Sequence, residues 1–76
     1  MKGNQFINVK VEMTKAGVNV SNVANEMGIT PQALYKKLNG QTEFSLKDMK
    51  LIRSILVKYL GENLTLEYLF GDNNDN

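Results

Sequence analysis

The run Gly28-Ile29-Thr30-Pro31 constrains this chain more than any other stretch, because it closes one helix and opens the next with almost nothing between. Pro has no N–H to donate and a fixed φ, which suits the first position of a helix. It pushes the residue before it into extended geometry, where the Thr30 side-chain oxygen can cap the new helix. Gly28 tolerates the left-handed backbone that releases a helix at its C-terminus. Only Ile29 is left to plug the bend.

The flanking sequence fits helices on both sides. Val20, Val23, Ala24 and Met27 recur at i, i+3, i+4 and i+7, one helical stripe, and Asn19 is placed to cap it. The next helix is predicted from Pro31 to Asn39, with Gly40 ending it. Asn-Gly also marks hairpins, but here it follows helical spacing, which favours a C-cap. Ser45 and Asp48 form a capping box with Asp in the place usual for Glu. Behind them Leu46, Met49, Ile52, Leu56 and Tyr59 or Leu60 make a long apolar face, with Ile55 beside it and Gly61 at its end. Thr65 is a cap for a short last helix whose apolar side is Leu66, Leu69 and Phe70.

The first segment, Asn4 to Gly17, reads two ways. Ile7, Val9, Val11 and Met13 alternate with polar residues as a strand would. Phe6, Val9, Lys10 and Met13 fit helical spacing, with Gly17 as a stop. Periodicity alone leaves this open. With helices elsewhere, the fold class expected is all-α, a compact domain of four to five helices over residues 1–70. The tail 71–76, "GDNNDN", is expected to be polar and disordered.

Length and composition narrow the function. Seventy-six residues suit one small domain. There is no Cys and no His, which excludes disulfides, the usual zinc sites, thiol nucleophiles and His-based triads. Carboxylates are sparse and unpaired in sequence, so no enzyme, cofactor or metal is expected, and no small-molecule ligand is evident. No apolar run reaches the roughly 20 residues of a membrane span, and the first ten residues lack a signal-peptide core. A cytoplasmic protein with no membrane partner is expected. Net charge is +1, but its distribution is uneven: +4 over residues 32–58 and −4 over residues 59–76. That is the pattern of two different surfaces, or of ordinary solvated faces.

On a helical wheel of about 100° per residue, Leu34 and Leu38 face inward, and Gln32, Ala33 and Lys36 face away, with Tyr35 and Lys37 on the flanks. Gln can pair bidentately with adenine, Lys can donate to guanine, and Ala can meet a thymine methyl, all in a major groove. The same face could equally be solvated helix surface.

The run "KAGVNVSNVANEMGITPQALYKKLNG", followed by "TEFSLKDMKLI", resembles the lambda-repressor and Cro-type helix-turn-helix family of phage and bacterial regulators. "VANEMGIT" is similar to that family's positioning helix and turn, and "LYKKLNG" to the end of its recognition helix. The resemblance covers about half the chain directly. It implies a sequence-specific binder of double-stranded DNA, a repressor or regulator of transcription that acts as a homodimer on a palindromic operator. It implies that the first segment is helical. It places base contacts on Pro31, Gln32 and Lys36, to which the helical wheel adds Ala33. Backbone contacts would come from Ser21, Thr30, Tyr35, Lys37, Asn39, Gln41, Thr42 and Lys47. Two positions depart from the family: Val20 stands where a phosphate-gripping Gln is common, and Pro31 where a polar base reader is common.

Those departures, with the near-neutral net charge and the acidic end, leave a second expectation: a protein-interaction module on the same fold, such as an inhibitor or antitoxin-like adaptor. Leu64, Leu66, Tyr68, Leu69 and Phe70 are dense for a terminal segment. They are candidates for a dimer interface or for the domain's own core.

Overall fold

The computed structural model describes residues 6–71. Helices α1 (Ile7–Ala16), α2 (Val20–Met27), α3 (Pro31–Leu38) and α4 (Leu46–Leu60) are followed by a short π-helical turn, α5 (Glu67–Gly71). Among the described residues there is no strand, so the fold is all-α. No helix is long and apolar enough to cross a membrane. The polar tail was expected over 71–76, but Gly71 belongs to α5; residues 72–76 lie outside the described residues. The radius of gyration is 11.4 Å, close to the value of about 11 Å for a packed domain of this length.

Local chemistry sets the helix ends. Gly17 and Gly28 leave α1 and α2 at φ 74° and 79°, each in the left-handed region. Asn19 and Asn22 form a reciprocal capping box at the start of α2, and Ser45 and Asp48 do the same for α4. At α3 the Thr30 Oγ1 accepts the Ala33 N–H at 3.1 Å, with Pro31 in the first turn. Helix α3 stops at Leu38, one residue short of the Asn39 expected. The backbone then tightens, with Asn39 N–H donating to the Tyr35 carbonyl and Gly40 N–H to that of Lys37. Thr65 caps the last turn through the Tyr68 N–H, as expected.

The first segment is helical from Ile7 to Ala16, and its alternating pattern is misleading. A strand would have put Ile7, Val9, Val11 and Met13 on one face. The helix instead buries Val9 and Met13 and leaves Ile7 and Val11 exposed. The third inward residue is Glu12, 5% exposed, which no apolar-pattern reading would place in a core. Tyr68 Oη donates to its Oε2 at 2.8 Å, and the Lys15 ammonium sits 3.3 Å from the same oxygen.

The core joins Val9 and Met13 of α1, Val23 and Ala24 of α2, Leu34 and Leu38 of α3, and Ile52, Ile55 and Leu56 of α4. Phe44, Leu64 and Leu69 complete it from the connecting segments and α5. At α4, of the alternatives Tyr59 and Leu60 it is Leu60 that packs against the core, which leaves Leu46 and Tyr59 outside it at 58% and 53% exposure. They lie at the two ends of the helix, where the stripe runs past the surface it packs on. Phe6, Phe44 and Phe70 form an aromatic cluster with centroids 5.0–6.0 Å apart. Phe6 itself has φ 56°; left-handed backbone at a bulky residue costs about 1–3 kcal/mol, and the packing of its ring offsets that.

Candidate nucleic-acid interface

Helix α3 is held at both ends and along its inner face. Leu34 and Leu38 are buried at 0% and 3% exposure. The turn before it is fixed by Ile29, half-buried against the core, whose N–H donates to the Ala24 carbonyl at 3.0 Å. Gly28 N–H donates to Asn25 at 3.2 Å, so the end of α2 is satisfied without side chains. Three residues therefore connect two eight-residue helices that pack against each other.

This anchoring leaves one face of α3 outward. Gln32 and Lys36 are exposed, Ala33 and Pro31 are half-buried, and Tyr35 is exposed on the flank. Thr30, Gln32, Ala33, Lys36, Lys37 and Thr42 line a shallow depression of about 360 Å³. The helical wheel drawn from the sequence agrees with the exposure of Gln32 and Lys36, whereas Ala33, expected to face away, is half-buried. The loop after α3 folds back onto it: Gln41 N–H donates to the Lys36 carbonyl at 2.8 Å, and Thr42 N–H approaches the same oxygen at 3.4 Å. Asn39, Gln41 and Thr42 are exposed on that loop, Ser21 in the first turn of α2, and Lys47 in the first turn of α4.

The structure sorts the cations in a way the sequence did not. Lys37 Nζ lies 3.1 Å from Asp48 Oδ2 and donates to the Glu43 carbonyl at 3.1 Å. Its charge ties the loop and α4 to α3, so it is less available to a ligand than its neighbour Lys36. Lys15 pairs with Glu12, and Lys58 with Glu26 at 2.8 Å. That hydrogen bond, with the attraction of the carboxylate, holds the Lys58 pKa above its ordinary value. Arg53 caps the segment beyond α4, donating to the Leu64 carbonyl at 2.7 Å and to that of Glu62. Among the described residues, Lys10, Lys36, Lys47 and Lys50 have no ion pair. Lys10 was not among the candidates drawn from sequence. It belongs to α1, and only the folded chain brings it beside Tyr35 and Asn39.

Asp48 is held below the usual carboxylate range. Burial pushes its pKa up, but the Ser45 N–H, the Lys37 ammonium and the Ser45 hydroxyl together outweigh that. The capping box of α4 and the clamp on Lys37 share this one carboxylate.

The terminal apolar residues divide. Leu64 and Leu69 are core residues, 8% and 2% exposed, and Phe70 belongs to the aromatic cluster. The folded chain therefore spends these three on itself. Leu66 is half-buried and Tyr68 is 42% exposed. The expected Val20 departure also has a structural setting: its side chain is half-buried and packs against the core. Among the described residues no group of three or more Asp or Glu is gathered as a metal site would require. Comparison of the chain with protein-family models, with curated proteins and with solved structures finds no match.

Proposed function

We propose that this chain is a helix-turn-helix binder of double-stranded DNA that places α3 in the major groove and acts as a regulator of transcription. The observation that carries this reading is the outward face of α3. Gln32, Ala33 and Lys36 are presented on a helix that is capped, anchored and flanked by an ordered loop. A helix with side chains is about 10–12 Å across, and the major groove of B-DNA is about 12 Å wide. Gln32 would pair with an adenine edge, Lys36 with a guanine edge, and Ala33 would meet a thymine methyl. Ser21, Thr30, Asn39, Gln41, Thr42 and Lys47 would contact the backbone, and those contacts would fix register without reading sequence. A symmetric dimer would read two half-sites about one helical turn apart.

Fluorescence anisotropy with a labelled mixed-sequence duplex at low salt tests this directly. The reading expects saturable binding that weakens steeply as salt rises. A protein that leaves the duplex free at low salt would contradict it.

One feature favours the second reading, a protein-interaction module on the same scaffold. Leu46 is 58% exposed and, with Leu51, borders a shallow depression flanked by Lys47 and Lys50. DNA contact gives those leucines nothing to do. Under that reading the duplex titration is flat, and substitution of Gln32 and Lys36 is without consequence for function.

A further inference from the structure

We infer that the cleft between α1, the start of α2 and α3 is a sugar–phosphate backbone station, with Lys10 as its cation. This rests on the duplex-DNA reading above and extends it to a helix that the sequence did not implicate. The cleft has a volume of about 370 Å³, and Lys10, Asn19, Tyr35 and Asn39 stand around it. Met13, Val18 and Leu38 supply apolar lining.

Three observations converge on this ligand. First, Lys10 is half-buried and has no ion pair among the described residues, whereas Lys15 near the end of the same helix is paired. The one carboxylate within α1, Glu12, is already engaged by Lys15 and Tyr68. An ammonium without an anion is stabilised by an incoming one. Second, Tyr35 and Asn39 line the cleft, so it opens on one flank of the α3 face that carries Gln32, Ala33 and Lys36. A helix in the major groove has a backbone strand along each flank, and the cleft lies where one of them would run. Third, the lining combines a cation, a phenol and amides with apolar surface. Donors suit phosphate oxygens, and apolar contact suits deoxyribose.

The test is the salt dependence of affinity for a fluorescein-labelled mixed-sequence duplex of about 20 base pairs, measured by anisotropy with the full chain. Each neutralised phosphate contributes about 0.9 to the slope of log affinity against log salt. Lys10→Gln removes the charge, keeps two of the four methylenes, and is expected to lower the slope by about that amount, on every sequence alike. Lys10→Arg should restore the slope, and Lys15→Gln, a charge removed from the same helix, should leave it unchanged. A slope unaltered in Lys10→Gln, or lowered as much in Lys15→Gln, would overturn the Lys10 station while leaving the DNA reading standing. A wild-type chain that binds no duplex would overturn both. Circular dichroism melts of all four proteins confirm that the comparison is between folded chains.

Discussion

Lys36 and Lys37 are adjacent in sequence and have different fates. Lys37 is clamped between Asp48 and the Glu43 carbonyl, whereas Lys36 projects from the outward face of α3. Lys36→Ala is expected to cost about 1–3 kcal/mol on the preferred duplex and much less on random duplex. Equal losses on both would make it a phosphate contact and remove it as a base reader. Lys37→Ala should act on folding instead, lowering stability by about 1 kcal/mol in a denaturant melt, since it removes an ion pair and a hydrogen bond together. A melt unchanged by Lys37→Ala would show that the clamp contributes nothing. The wheel on α3 was legible because burial of Leu34 and Leu38 fixes which way every other residue on the helix points. The partner of Lys37 was not legible, because it depends on how α4 docks, and no local pattern encodes that.

Most of the helix boundaries were legible, because they are set by residues with few alternatives: Gly17, Gly28, Thr30-Pro31, and the Ser45/Asp48 box. Helix α1 was the exception. Its apolar alternation belongs to a strand, yet a helix forms and turns Glu12 inward, and periodicity counts only apolar residues. The aromatic cluster was missed for a related reason: Phe6, Phe44 and Phe70 lie in three separate segments and share no spacing. The α4 cap makes a prediction at this scale. Asp48 has its pKa lowered in the fold, so its contribution to stability is present above the unfolded value, about 3.9, and is lost as pH falls through the lower folded value. Asp48→Asn should flatten that part of the acid unfolding profile in a pH-dependent melt. A variant whose acid limb matches the wild type would show that Asp48 does not couple protons to folding.

The whole molecule is closed by its C-terminal segment. Tyr68 donates its hydroxyl to buried Glu12, its carbonyl accepts from the Asn8 amide at 2.8 Å, and Leu69 enters the core. Tyr68→Phe leaves that carboxylate with one partner fewer and should cost about 1–3 kcal/mol in a denaturant melt. The hydrogen bond to Glu12, followed by burial, raises the Tyr68 pKa, so its contribution is complete below about 10 and is lost as pH rises through the raised value. The alkaline limb of stability should therefore be shallower in Tyr68→Phe than in wild type. Leu64 and Leu69 are used internally, while Leu66 and Tyr68 of the terminal apolar residues keep exposed surface for a second copy. Selection of bound duplexes from a random pool tests the central claim most directly, because it reports base reading and symmetry at once. The expected result is a palindromic consensus with half-site centres about one helical turn apart, lost in the Gln32→Ala/Lys36→Ala double variant. A pool that shows no enrichment with the wild-type chain, or the same enrichment with the double variant, would contradict it.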